Sequence, residues 1–369
     1  MAVLISIPVK LARIAVLGAC TLLVQVPCSA QDTKADDDAA TPEEIFDEIW
    51  GEFNNRYAFF ELRGVDWDKQ RETYKARVNS KTTSDELFSI LSEMLAPLGD
   101  AHVNLIMKGE KRRAFCAEKT ARFEREFPTD ELLKQFWSLV DGTLAARGFG
   151  ESVKVAKVFH YRRNSDYGYL RITDMEGPKK KALDKGLDQI LDALQDTQGL
   201  IIDIRANPGG TDDFVYRIMR RFADKKRVGH YKKTKKGPGE DEFGKLRTRH
   251  FEPGGDVRYA GKIVLLQNDA SYSAADMFAM LMGDLPNVVS IGEHTNGVFS
   301  DMLVRKLPNC WKYTLSHQRY YSAAKVCYEG KGIPVDHEVL NVRADLETGV
   351  DPVISKALTL LTEEELSPR

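Results

Sequence analysis

From Gly261 to Asp276 the chain reads Gly-Lys-Ile-Val-Leu-Leu-Gln-Asn-Asp-Ala-Ser-Tyr-Ser-Ala-Ala-Asp, and this segment constrains the fold more than any other. The apolar run Ile263 to Leu266 has the unbroken hydrophobicity of a buried strand. It stops at Asn268-Asp269, and a helical pattern begins at Ala274-Ala275 and continues through Met277, Phe278, Met280 and Leu281. Ser273 therefore lies where a buried strand turns into a helix. A hydroxyl there is held on a rigid turn, with free N–H groups of the first helical turn aimed at any oxygen it creates. The plainer role for such a serine is a helix N-cap.

The same strand-to-helix alternation recurs along the second half. Tyr167 to Ile172 reads as a strand, Ala182 to Leu194 as an amphipathic helix and Leu200 to Ile204 as a buried strand. Phe214 to Phe222 reads as a helix and Val288 to Ile291 as a further strand. Together these predict an α/β sheet-and-helix core over residues 153–362, with short strands dominating from Leu303 to Val342 and a tail over 363–369. Residues 41–97 read as a small three-helix cap. Thr41-Pro42-Glu43-Glu44 and Thr83-x-x-Glu86 are N-terminal capping signals, and Ile45, Phe46, Ile49, Trp50 and Phe53 form one apolar face. Residues 98–152 connect the two, with a turn at Leu98 to His102, a strand starting at Val103, a charged irregular stretch over 107–127 and a helix from about Thr129 to Arg147. Lys225 to Lys236 reads as a solvated basic loop, with docking of acidic peptide segments or a terminal carboxylate as its functional reading.

A chain of 369 residues has room for about two domains. Its formal charge of −2 gives no general reason to expect nucleic acid or a membrane surface as partner. Lys10 and Arg13 precede an apolar run from Ile14 to Val26, and small residues at Cys28-Ser29-Ala30 mark a cleavage point before Gln31. Residues 1–30 thus read as a secretory signal peptide and 31–40 as a disordered acidic lead. The expectation is an exported protein, periplasmic or secreted, with no stable membrane insertion once the signal is removed. A lipoprotein box at Leu17 to Cys20 is the weaker alternative, because the apolar run continues past it. Of the remaining cysteines, Cys310 and Cys327 are the natural pair if one forms.

Four short patterns carry chemistry. Asp100-Ala101-His102 puts a histidine on a turn. Arg205-Ala206-Asn207-Pro208-Gly209-Gly210 follows a buried strand, so its glycines offer unencumbered backbone N–H groups. Ser271-Tyr272-Ser273-Ala274-Ala275-Asp276 is the strand-to-helix turn. Tyr328-Glu329-Gly330-Lys331-Gly332 is a glycine-flanked carboxylate before another strand. A serine hydroxyl needs a base near neutral pH, a histidine can supply one, and a carboxylate can fix the histidine's tautomer.

Taken in this order, the patterns resemble peptidase family S41, the tail-specific or C-terminal-processing serine peptidases, from about Pro42 to about Leu361. The resemblance implies a ClpP/crotonase-like core, a polypeptide substrate and hydrolysis through an acyl-enzyme, with no metal or organic cofactor. It implies Ser273 as nucleophile. Where the lysine-dyad branch carries its base, this chain has Val298, which cannot take a proton. The tricorn-core-like branch uses a distant histidine and a glutamate, positions matched by His102 as general base and Glu329 as the residue that orients it. Ala101 stands where that branch has a serine beside the histidine. The stretch between His102 and the Tyr167 strand is too short for a PDZ domain beside its helix.

Gly210 and Ala274 are the expected oxyanion donors, with Gly209, Asn207 and Tyr272 shaping the site. His294 is the alternative base, His317 a weaker one and Ser271 a turn serine. Asp203 and Arg205 are expected to form a structural ion pair. Two other readings compete: a peptide- or hydrophobic-ligand-binding module with decayed catalysis, motivated by Val298 and Ala101, and a CoA-ester enzyme, disfavoured by the export signal.

Overall fold

The structure, a computed structural model, describes residues 40–107 and 112–363. The signal-peptide reading, the acidic lead up to residue 39 and the tail from residue 364 lie outside the described residues. Among those described, no helix is long and apolar enough to cross a membrane.

The N-terminal region holds four helices: α1 (Pro42–Arg56), α2 (Phe60–Arg63), α3 (Trp67–Lys75) and α4 (Ser84–Leu95), followed by a 3₁₀ turn over Ala96–Leu98. Both capping boxes form. Thr41 and Thr83 each accept the backbone N–H of the glutamate three residues on, and Glu44 and Glu86 reach back. Helix α2 is an addition to the three expected, too short to show a periodicity.

Beyond the turn come β1 (Asn104–Met107), β2 (Arg113–Cys116), α5 (Arg122–Glu126) and α6 (Asp130–Ala146). The stretch expected to be irregular is therefore partly ordered. Arg122 pairs with Glu293 at 2.7 Å, and the Asp269 carboxylate accepts the N–H groups of Arg122 and Phe123.

The core follows as β3 (Val153–Val155), β4 (Phe159–Arg163), β5 (Tyr167–Ile172), α7 (Lys180–Leu194), β6 (Gly199–Asp203), α8 (Asp212–Phe222), β7 (Arg227–Thr234), β8 (Arg247–Phe251), β9 (Lys262–Gln267), α9 (Ala274–Gly283) and β10 (Val288–Gly292). Then come β11 (Met302–Lys306), β12 (Lys312–Ser316), β13 (Gln318–Tyr321), β14 (His337–Glu338), α10 (Asp345–Thr348) and α11 (Pro352–Thr362). The expected basic loop at Lys225 to Lys236 is instead mostly β7. The ammonium groups of Lys232, Lys233 and Lys235 sit over the rings of Phe243, Tyr320 and Tyr321, which makes strand pairing favourable despite the charge.

The central sheet has seven strands in the order β14-β10-β9-β6-β5-β4-β3. Strands β5, β6, β9, β10 and β14 run parallel, and β3 and β4 close one side antiparallel. Alternate residues serve opposite faces. Leu200, Ile202, Ile263 and Leu265 join α7, α8 and α9 in one core, while Ile201, Val264, Leu266 and Ile291 join α6 and α11 in another. This two-sided burial is why these strands read as unbroken apolar runs. The fold is thus α/β with a helical N-terminal region. The cap helices do not close on themselves: Leu105, Leu307, Trp311, Tyr313 and Leu315 from a four-stranded sheet, β11-β12-β1-β2, complete their core.

Arg205 and Asp203 do pair, at 2.6 Å, and Asp351 completes the cluster at 2.7 Å, with all three side chains fully buried. Replacing Arg205 by Met leaves two buried carboxylates without their cation. The expected cost is about 3–5 kcal/mol, read as a shift in the urea unfolding midpoint. A change under about 1 kcal/mol would mean that the cluster does not hold its three elements together.

Candidate active site

Parallel pairing of β6 with β9 sets Asp203 opposite Leu266, so the loops leaving these two strands emerge side by side at one sheet edge. Both loops are cross-linked there. Ala206 N–H donates to Asn268 Oδ1 at 2.9 Å, Ser271 Oγ donates to the Ile204 carbonyl at 2.8 Å, and Tyr272 N–H donates to the Asn207 carbonyl at 2.9 Å. Ser271 is therefore a buried structural link.

Asn207 sets the glycine turn. Its Nδ2 donates to the Ile172 carbonyl at 2.6 Å and its Oδ1 accepts from Gly209 N–H at 2.8 Å. At Gly209, φ is +88°, and a Cβ there would lie 2.5 Å from the Tyr272 carbonyl oxygen, 2.8 Å from Ser273 Cβ and 2.9 Å from Ala274 N. Only glycine lets the two loops approach this closely. Gly210 forms a parallel bridge with Met175, in which Met175 N–H donates to Gly209 O and Thr211 N–H to Met175 O. That pattern turns the Gly210 N–H away from Met175. Among the described residues neither it nor the Ala274 N–H at the first position of α9 has a hydrogen-bond acceptor.

Ser273 is the N-cap of α9 with φ 55° and ψ −113°, outside the helical and extended regions. Such a conformation costs on the order of 1–3 kcal/mol and persists only where its surroundings impose it. It holds a half-buried serine at a strand-to-helix corner packed against the Gly209 turn. Tyr272, expected to shape the site, is buried, and its hydroxyl donates to Glu124 at 3.1 Å. Burial first, then the carboxylates of Glu118 and Glu124, raise it far above an ordinary phenol.

His102 lies just before β1, with its N–H on Asp100 Oδ1 at 2.8 Å and its carbonyl accepting from Thr314 Oγ1 at 2.6 Å. Its ring is buried, hydrogen-bonded to the Ser300 backbone, with Nδ1 unpartnered. Burial lowers its proton affinity more than Asp100 raises it, so the ring is neutral near pH 7. Glu329 is buried too. Its Oε1 meets Arg63 Nη2 at 3.2 Å and its Oε2 accepts from Phe299 N–H at 2.9 Å. Burial and the nearby Asp100 push its carboxyl upward, with Arg63 and the Phe299 N–H opposing.

His102 and Glu329 thus converge on adjacent residues of one segment, Phe299-Ser300. Among the described residues no hydrogen bond joins Ser273, His102 and Glu329 to one another. Val298 is buried in this segment, so no cation stands there. His294 is exposed, with Nδ1 on the Thr295 carbonyl, and His317 lies on the Asp301 carbonyl. No disulfide joins Cys310 to Cys327.

Three residues were missed by sequence reasoning. Arg63 holds Glu329 and the Gly99 carbonyl, and Asp100 binds His102 and the Tyr57 hydroxyl at 3.0 Å. Asp276 is a buried carboxylate on the serine's own helix, accepting N–H groups from Gly297 and Val298. An acidic residue inside an otherwise apolar helix was the available signal for Asp276, and its adjacency to the His102 turn was the signal for Asp100. Arg63 had none.

Residues 166–339 match the model of peptidase family S41, and residues 38–96 match the tricorn protease C1 domain. The chain is 26% identical over 147 residues to the carboxy-terminal processing protease CtpA of Bacillus subtilis, covering 40% of this chain and 29% of that protein. It is 24% identical over 220 residues to a carboxy-terminal-processing protease of Bartonella bacilliformis, covering 59% of this chain and 49% of that one. The chain therefore spans less than half the length of either relative. The crystal structure of a candidate peptidase from Parabacteroides merdae superposes with a TM-score of 0.75 at 25% identity, covering 88% of this chain and 98% of the other.

Two glycine substitutions separate contact from conformation. Gly64 has φ +64° with nothing near its added Cβ, whereas Gly209 has a comparable φ and three close backbone or Cβ neighbours. Gly64→Ala is expected to cost about 1 kcal/mol and Gly209→Ala about 3 kcal/mol or more in chemical denaturation. Equal costs would mean that the two loops are not held against each other.

Proposed function

Because this chain belongs to peptidase family S41, we propose that it is an exported serine peptidase that hydrolyses peptide bonds of polypeptides, with Ser273 as nucleophile, His102 as general base and Glu329 orienting the base. The observation that carries this reading is the corner at Ser273. A strained serine starts a helix directly against the Gly209 turn, and among the described residues the Gly210 and Ala274 N–H groups have no hydrogen-bond acceptor.

In this mechanism neutral His102 takes the Ser273 proton as Oγ attacks the scissile carbonyl carbon. The carbonyl oxygen becomes an oxyanion held by the Gly210 and Ala274 N–H groups. The proton passes to the leaving amine, the C–N bond breaks, and an acyl-Ser273 ester remains for water to hydrolyse by the same route. Val298 supports a histidine base over a lysine base, because no amine is present at that position. For this triad to assemble, the Glu329 carboxylate has to leave Arg63 for the vacant Nδ1 and the other ring nitrogen has to exchange the Ser300 backbone for Ser273, a tightening of the kind that substrate binding brings about in sites whose resting bonds are loose.

Ser273→Ala and His102→Ala are each expected to lower kcat/KM by on the order of 10³-fold or more with the fold retained. Intact-mass analysis after fluorophosphonate treatment gives the direct check. A single adduct on Ser273, lost in His102→Ala, supports the assignment. An adduct retained in His102→Ala but lost in His294→Ala would name the other histidine.

The pH profile follows from the depressed proton affinity of His102. The base works when neutral, so kcat/KM rises with pH and levels off once the ring has lost its proton. Since burial moves that point below the usual 6.5, the acid limb is expected below pH 6.5. A limb centred near pH 8 would instead report Glu329, whose carboxyl burial pushes up to about 8, and one that shifts in Glu329→Gln would confirm that source.

The lack of direct bonds among Ser273, His102 and Glu329 also supports a second reading, a peptide- or hydrophobic-ligand-binding module with decayed catalysis. Saturable peptide binding with no phosphonate adduct on the folded protein would favour it.

A further inference from the structure

Asp276 is the one carboxylate on α9, and it is completely buried. It sits three residues after Ser273, at the position from which a side chain reaches back to the N-cap backbone, and it is hydrogen-bonded to the Ser273 backbone. The same carboxylate holds a second chain segment. Gly297 N–H donates to Oδ1 at 2.7 Å and Val298 N–H to Oδ2 at 3.1 Å, with the Thr295 side chain as a further partner. The two residues that follow carry the other proposed catalytic groups: Phe299 N–H donates to Glu329 Oε2, and the Ser300 backbone meets the His102 ring. The Gly297 carbonyl accepts Gly330 N–H at 2.7 Å, so the Glu329 turn is tied in as well.

Taking the serine-peptidase reading as its premise, we propose that Asp276 is a positioning residue that fixes Ser273 relative to both His102 and Glu329 by gripping the nucleophile's turn and the Gly297–Val298 backbone with one buried carboxylate. An ordinary N-cap partner would satisfy its own helix and stop there. Asp276 spends both oxygens on a segment from beyond the next strand. A carboxylate suits this place because it only accepts, and every neighbour aimed at it here donates. It is also costly there. Burial raises its proton affinity to about 6 against the pull of Thr295, Gly297, Val298 and Ser273, and Glu329 is the other acid near enough to interact with it. A buried carboxyl whose own helix needs only one acceptor is worth that cost when it holds two separate segments of a site in register.

Asp276→Asn keeps the shape and replaces one acceptor oxygen with an NH₂ that faces N–H donors. The experiment measures the second-order rate of Ser273 labelling by a fluorophosphonate, per molecule folded by circular dichroism, together with kcat and KM on a peptide substrate. The expected result is labelling and kcat about 10- to 100-fold lower with KM within about 2-fold, since the nucleophile's aim is lost and the binding surface is kept. Thr295→Val, which deletes one donor to the carboxylate, is the milder companion should Asp276→Asn not fold. It is expected to slow labelling about 3- to 10-fold. A folded Asp276→Asn protein, or failing that a Thr295→Val protein, that is labelled at the wild-type rate overturns the inference. A fall in thermal stability with labelling unchanged does so equally, since it assigns Asp276 a purely structural role. If wild type itself is not labelled, the serine-peptidase reading fails and this inference with it, which distinguishes the two failures.

Discussion

The register between β6 and β9 is the constraint on which the candidate site depends. Parallel neighbours end at the same sheet edge, so two loops far apart in sequence leave their strands side by side. Side-chain and backbone bonds from Asn207, Asn268 and Ser271 then lock the loops together. A glycine at 209 lets them touch, and the serine's unfavourable backbone angles are imposed from both sides. Crevices at the carboxyl ends of parallel strands are where α/β sheets commonly place ligands, for this geometric reason. The serine, the glycine donors and the helix N-terminus are consequences of one pairing.

Buried charge is handled in two ways, and the contrast separates scaffold from site. Around Arg205, carboxylates and cation meet directly at 2.6 and 2.7 Å, and Asn341 takes up the remaining capacity. Such a cluster is closed and has nothing left to offer a substrate. Near Ser273 the acids are held largely by backbone N–H groups, their proton affinities are raised, and His102 Nδ1 has no partner. Incomplete satisfaction of buried groups is costly, and sites that must change partners during a reaction are where that cost is tolerated.

Much of the core was legible because burial on both faces writes itself into composition. Leu200 to Ile204 and Ile263 to Leu266 announce strands, and Thr41 and Thr83 with their glutamates announce helix starts. The glycine turn and the serine corner were legible as local patterns, and their adjacency was legible only through the family resemblance. What escaped was long-range. Arg63 and Glu329 meet across most of the chain, and no local periodicity encodes that. The partners of Tyr272 escaped because Glu118 and Glu124 come from a stretch that reads as charged and irregular. The strand Arg227–Thr234 was hidden because lysine ammonium groups can sit over aromatic rings while hydropathy counts only the charge.

The cap helices share a single apolar core with β1 and β12, and this decides which part of the site can adjust. His102 is anchored from both ends of its residue, to Asp100 on the cap side and to Thr314 on β12. A cap that swung away as a rigid lid would have to tear Leu105, Tyr313 and Leu315 out of the core they complete, exposing several large apolar side chains at about 1.5–3 kcal/mol each. That is a prohibitive cost beside the exchange of one partner by Glu329. Arg63 is the contrasting case. It belongs to a four-residue helix with no buried side chain of its own, and its grip on Glu329 is a single contact at 3.2 Å. In this fold His102 is therefore the fixed member and the Arg63–Glu329 contact the adjustable one.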